Sequence, residues 1–284
     1  MNENEKNILI QEEEKRIEET VVKIKHRIAV FSGKGGVGKT TVSVNLAFCF
    51  QMEGFTTGIL DADITGPNVA KMLGIKDELI ILNQSIIPYE KNGVKMVSIA
   101  GLIQPGQPVI WRGPLRSKLI SQFLADVAWG ELDFLIADLP PGTGDEILTI
   151  SQKMKPDYAL IVTTPQEISV IDAERAINMA KKLEIPNIGV IENMSGFICP
   201  LCKNKIDLFD YGGGKKLADE YNVQFLGTIP VEIDIRIFSD KGEPIVWKKP
   251  ELDVSNSFKS IVNKIEEHIR VPSNPQPVNN LDVK

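Results

Sequence analysis

The chain has 284 residues, 43% of them apolar and 25% charged, with a net charge of −6. That is enough apolar material for a full core, in one large α/β domain or two small ones. No run approaches the roughly 18 consecutive apolar residues of a membrane span, and the acidic balance argues against a general nucleic-acid-binding face, which wants a basic patch.

Residues 1–25 are rich in Glu and Lys, with Ile10, Ile17 and Ile24 spaced by sevens. They read as a charged helical extension with a thin apolar seam, too short for a domain. Glu3, Glu5, Glu12, Glu13 and Glu14 make the start the opposite of a signal peptide, so a cytoplasmic protein is expected.

Arg27-Ile28-Ala29-Val30-Phe31 then reads as a buried strand. Ser32-Gly33-Lys34-Gly35-Gly36-Val37-Gly38-Lys39-Thr40-Thr41 follows and fits G-x-x-x-x-G-K-[ST]. Val42, Leu46, Cys49 and Phe50 recur at helical spacing behind it, so a helix is expected from about Lys39. The pattern answers to charge. Glycines let successive backbone N–H groups, from Gly33 to Thr41, turn toward a polyphosphate. The helix N-terminus adds unpaired donors. Lys39 supplies a mobile point charge, and the Thr40 hydroxyl is placed for Mg²⁺. A nucleoside triphosphate is the expected ligand.

Further apolar runs at 57–61, 94–100, 134–138, 158–164, 188–192 and 224–229 alternate with helical stretches near 39–53, 114–127, 144–154, 167–183 and 212–222. Val254 to Ile269 reads as one more packed helix. Strand alternating with helix predicts an α/β fold of P-loop NTPase type, with a mostly parallel twisted sheet of about seven to eight strands and helices on both faces. Ligands of such sheets bind beyond the strands' C-terminal ends. The ATPase domain is placed at 26–270, with an insert near 197–211. The polar tail 271–284 is expected to be disordered.

Three strand ends carry candidates. Asp61 and Asp63 follow the second run and could order a magnesium shell and position an attacking water, or simply form a turn. Asp138 ends the Walker-B-like run Phe134-Leu135-Ile136-Ala137-Asp138 and is placed near Mg²⁺. Pro140-Pro141-Gly142-Thr143-Gly144 after it is either a γ-phosphate sensor or a structural turn. Glu192-Asn193-Met194-Ser195-Gly196 ends the sixth run, where Asn193 suits a turn or an adenine edge.

Cys199-Pro200-Leu201-Cys202 is open to three readings: a redox pair, half a zinc site, or half an iron–sulfur site. The redox reading wants a thioredoxin fold, which the pattern of elements does not give. Cys49 falls on the apolar face of the P-loop helix, and His26 and His268 lie at opposite ends of the chain. One chain thus offers two good soft ligands, whereas tetrahedral zinc or a [4Fe–4S] cube needs four. Two chains related by a twofold axis would supply two plus two.

Lys34, directly after the first glycine, resembles the signature lysine of the deviant P-loop ATPases, which include MinD, ParA and the nitrogenase iron protein. That resemblance implies a lysine reaching across a dimer interface to the partner's nucleotide. It also implies Asp63 as the water-positioning residue, Asp61 as its outer support, and Asn193 as a base-recognising residue. The motifs above, with Asp61-Ala62-Asp63-Ile64-Thr65-Gly66-Pro67-Asn68, Trp111-Arg112-Gly113-Pro114, Asp138 to Asp145 and Gly212-Gly213-Gly214, occur in an order that resembles the Mrp/ApbC family of iron–sulfur cluster carriers from about residue 24 to 270. The resemblance implies a slow Mg-dependent ATPase and a homodimer. The dimer would bridge a labile [4Fe–4S] cluster through paired Cys199 and Cys202, take it from a scaffold donor and pass it to apo-proteins, with neither nucleic acid nor membrane as partner. Many bacterial members carry a small domain before the P-loop, and eukaryotic cytosolic relatives an N-terminal four-cysteine cluster; residues 1–25 match neither and are expected to be a charged extension. Position 65 is Thr where many members have Tyr. The rival reading is a MinD/ParA-type positioning ATPase, whose basic amphipathic end is not the pattern of 254–269.

Overall fold

The computed structural model describes residues 3–64, 66–83, 85–102, 113–142 and 144–270. Thr65, Trp111, Arg112, Thr143 and the 271–284 tail therefore lie outside the described residues. In chain order the elements are α1 (Glu3–Val21), β1 (Ile24–Phe31), α2 (Lys39–Met52), β2 (Thr57–Asp61), α3 (Val69–Met72), β3 (Ile80–Leu82), β4 (Ser85–Ile87), β5 (Tyr89–Lys91) and β6 (Val94–Ser98). A 3₁₀ turn (Ile99–Leu102), α4 (Gly113–Asp126), β7 (Leu132–Asp138), α5 (Asp145–Lys153), β8 (Tyr158–Thr163), α6 (Glu167–Lys182) and β9 (Asn187–Ile198) follow. The last are β10 (Lys205–Ile206), α7 (Gly213–Glu220), β11 (Gln224–Val231), α8 (Ile233–Asp240), α9 (Ile245–Lys248) and α10 (Asp253–Arg270).

The seven apolar runs become seven parallel strands in the order β11-β9-β8-β1-β7-β2-β6. Two short antiparallel strands, β5 on β6 and β10 on β9, extend this to nine, and β3 and β4 form a separate hairpin. The short strands escape the sequence reading because two or three residues carry no usable alternation. Central strands are buried on both faces, which is why they read as continuous apolar runs. Along β1, Ala29 and Phe31 join a core with α1, α4, α5, α6 and α7, while Ile28 and Val30 join the opposite core with α2, α3, α9 and α10.

The chain leaves β1 through α2 on one face and crosses β7 to reach β2; it leaves β7 through α5 on the other face and crosses β1 to reach β8. Successive crossovers thus part in opposite directions at the carboxyl ends of β1 and β7, the topological switch point where ligands of such sheets bind.

Two boundaries differ from expectation. The heptad-spaced isoleucines do not form one helical seam: α1 stops at Val21, and Ile24 opens β1 in register with Leu132 of β7. Ile17 and Val21 bury the helix in the core shared with α4, while Ile10 remains exposed. β9 also runs on past the expected turn at Asn193, because β11 pairs with it as far as Phe197 and β10 holds its last two residues.

Candidate nucleotide site and cysteine hairpin

Parallel register builds the acidic floor of the site. Asp61 of β2 lies opposite Asp138 of β7 on one side and Ser98 of β6 on the other. The predicted Walker residues converge on Asp138, which is buried: Lys39 Nζ donates to its Oδ1 at 2.8 Å, and Thr40 Oγ1 donates to its Oδ2 at 2.7 Å. Ser43, one turn further along α2, donates to the same Oδ1 at 2.7 Å. The sequence reading missed Ser43, although its i+4 spacing from Lys39 puts it on the face that meets β7.

Asp61 is fully buried. It accepts from Ser98 Oγ at 2.8 Å, from the Asp63 amide at 3.3 Å and from the Val69 amide at 3.4 Å. Burial, and secondarily the Asp138 charge, push its carboxyl up to about 8. An aspartate ordinarily titrates near 3.9, so the stabilisation from holding this proton is complete below that value and is lost as pH rises through about 8. Asp61→Asn removes that dependence. Its melting temperature, measured without nucleotide or Mg²⁺, is expected to gain several degrees on wild type between pH 5.5 and 8.5; a pH-independent difference would contradict the assignment.

The glycine loop has the conformation its sequence demands. Gly36 and Gly38 adopt φ values of 85° and 83°, the left-handed region. A Cβ on Gly33 would collide with the backbone carbonyl of Asp172 on α6, and one on Gly38 with the amide of Asn193. Gly35 and Gly36 are exposed at the loop tip, Lys34 is half-buried beside them, and Val37 is buried beneath. The loop after β7 is tied to this one, since the Gly142 amide donates to the Ser32 carbonyl at 3.1 Å.

Asp63 stands half-buried at the same rim, just past β2, and its Oδ1 accepts from the Gly66 amide at 3.1 Å. Asn193 is placed differently from the open rim that base recognition implies. It is buried under the loop, and its Nδ2 donates to the Val37 carbonyl at 2.8 Å. The strand carries on past it, and one of its side-chain N–H groups is engaged by the loop.

Cys199 and Cys202 lie on the turn between β9 and β10. The Cys199 amide donates to the Asn204 carbonyl at 3.0 Å, and the Lys203 amide to the Cys199 carbonyl at 2.9 Å. Both thiols are free, Cys202 is exposed, and Leu201 between them is 92% exposed. The Cys202 and Leu201 amides aimed at the Cys199 sulfur, with the Cys202 thiol and Lys203, lower the Cys199 pKa, which favours the thiolate that binds metal. Cys49 is buried in α2 with its thiol pushed up to about 12 by burial, as a small hydrophobe should be. His26, the third residue of β1, is at the opposite rim, its ring tilted 34° to that of Phe134 with centroids 5.2 Å apart. Among the described residues no three His, Cys, Asp or Glu side chains gather where they could hold a metal ion. The two cysteines therefore stand as a pair.

A doubly wound parallel sheet, with a lysine, a threonine and a strand-end aspartate joined at a glycine loop, defines a P-loop NTPase. The particular family follows from sequence comparison: the NUBPL iron-transfer P-loop NTPases of the ParA group match residues 23–266, and the chain belongs to that family. An iron-sulfur cluster carrier protein of Methanocaldococcus jannaschii is 51% identical over 265 residues, covering 92% of this chain and 91% of that one. One from Aquifex aeolicus is 45% identical over 248 residues, covering 86% and 68%. Among solved structures, a nucleotide-binding protein from Archaeoglobus fulgidus in complex with ADP superposes with a TM-score of 0.74 at 39% identity, covering 86% of this chain and 96% of that one. MinD of Pyrococcus horikoshii, complexed with Mg-ADP, shares the fold with a TM-score of 0.64 at 23% identity over 86% and 96% of the two chains. Among the described residues no helix is long and apolar enough to cross a membrane.

Proposed function

We propose that this chain is an ATP-binding, ATP-hydrolysing carrier of iron–sulfur clusters. A homodimer bridges a labile [4Fe–4S] cluster through Cys199 and Cys202 of each subunit, receives it from a scaffold and delivers it to apo-proteins in the cytoplasm. The observation that carries this reading is a pair of free thiols on the hairpin that continues β9 beyond the P-loop. Support comes from relatives about half identical that are named as carriers.

In this reading the backbone N–H groups of Gly33 to Thr41 cradle the phosphates of ATP. Lys39 exchanges its Asp138 partner for a phosphate oxygen, which frees Asp138 and the Thr40 hydroxyl to hold Mg²⁺. Mg²⁺, when bound, neutralises charge on the β- and γ-phosphates. Asp61, behind Asp138, supports the outer shell, and Asp63 orients the attacking water. Lys34 reaches the partner's nucleotide, so that ATP changes how the subunits meet and gates cluster loading or release. Asn193 serves the nucleotide from beneath, by fixing Val37 and Gly38.

Lys39→Ala tests the nucleotide half of the proposal. The charge-assisted contact it removes is worth about 1.5–3 kcal/mol, so affinity for a fluorescent ATP analogue should fall by about 10- to 100-fold. Circular dichroism would establish that the variant is folded. Wild-type affinity in a folded variant would contradict the assignment.

A further inference from the structure

Glu192 has no part in the chemistry above, yet it is fully buried and three donors converge on its carboxylate. Ser195 Oγ at 2.6 Å and the Gly212 amide at 3.0 Å donate to its Oε1, and the Gly214 amide at 2.6 Å donates to its Oε2. Ser195 and Gly212 bracket the excursion that carries both cysteines, so one side chain grips it at both feet. The glycines at the start of α7 allow this approach, since a Cβ on Gly214 would sit 3.0 Å from the Glu192 Cβ.

Its neighbour Asn193 points to the other face of the strand, as alternation requires, and holds the P-loop through Val37. Just beyond the two, β9 bulges: Ile229 pairs with Asn193, but the next partners are Val231 and Phe197. Four residues of β9 thus run against two of β11. Inside the bulge Met194, a non-glycine, adopts φ 58° and Gly196 φ 83°. Irregular, left-handed backbone of this kind inside a strand is where a sheet stores strain and re-aims side chains.

We propose that Glu192 and Asn193 form a strut that couples the nucleotide loop to the cysteine hairpin. Movement of Val37 and Gly38 on nucleotide binding passes through Asn193 into the bulge, and the Glu192 clamp turns it into a change in the setting of Cys199 and Cys202. Glu192 is a positioning residue in this scheme, which rests on the assignments of the P-loop and the cysteine pair made above.

The test is the rate of iodoacetamide alkylation at each cysteine of the full chain, read by mass spectrometry with and without Mg-ATP. Nucleotide binding is followed separately with a fluorescent analogue. Cys49 is buried and leaves the signal to the hairpin. In wild type, nucleotide should change the Cys199 or Cys202 rate by about threefold or more, roughly the effect of a 0.7 kcal/mol bias. In Glu192→Gln, whose amide cannot accept all three donors, the ratio should collapse toward one while nucleotide affinity is kept. Ser195→Ala removes a single donor and should at least halve the response, which keeps the proposal testable if Glu192→Gln does not fold. Wild-type ratios in these variants, or no response in wild type with nucleotide demonstrably bound, would overturn the strut and leave the site assignments standing. Failure of wild type to bind nucleotide would remove both.

Discussion

Asp63→Asn is expected to bind ATP normally and to lose ATP hydrolysis by about 10²-fold or more, the scale of losing a residue that orients and activates the attacking group. Asp63 Oδ1 accepts from the Gly66 amide, and an asparagine Oδ1 can accept the same hydrogen bond, so the 63–66 turn survives. The substitution takes away the negative charge and one acceptor oxygen at the rim where the acidic floor of Asp61 and Asp138 ends. Phosphate release by the variant within about twofold of wild type would leave water positioning to another residue, outside the factor expected for this role.

Cys199→Ser and Cys202→Ser are expected to abolish cluster retention individually, because in a twofold dimer each change removes two of four thiolates. A serine hydroxyl does not ionise near neutral pH and is a hard ligand where iron–sulfur clusters take soft ones. The two positions are on a surface hairpin whose middle residue, Leu201, is almost fully exposed, so stability should change by no more than about 0.5 kcal/mol. Nucleotide affinity should stay at the wild-type level. Loss of folding or of ATP binding in these variants would mark the cysteines as structural.

The alternation of apolar runs with helical spacing was sufficient to place seven parallel strands, since double-sided burial leaves an unbroken apolar signature. The P-loop was equally legible, because phosphate binding constrains consecutive backbone positions and so writes itself into consecutive residues. Ser43, Ser98 and Glu192 were not. Ser43 and Ser98 act through partners far away in sequence, 95 residues in the Ser43–Asp138 contact and 37 in the Ser98–Asp61 contact, and Glu192 through Gly212 and Gly214, 20 and 22 residues on. The packing of α2 on β7 makes the first contact, the register of β2 with β6 the second, and the return of the chain to α7 brings Gly212 and Gly214 to Glu192. Asn193 shows the same limit from the other side: an amide at a strand end suggests an open rim, but β11 pairs onward past it and the side chain closes under Val37. Ile24 follows a related rule: its spacing from Ile17 matches a helix, while its partner Leu132 draws it into the sheet.

The most direct test of the account is iron and acid-labile sulfide per dimer after anaerobic reconstitution, with wild type beside Cys202→Ser. The account predicts about four of each per wild-type dimer and close to none in the variant. No iron in wild type, or iron that the substitution leaves unchanged, would contradict a bridging cluster and return the chain to an ATP-driven dimer of positioning type.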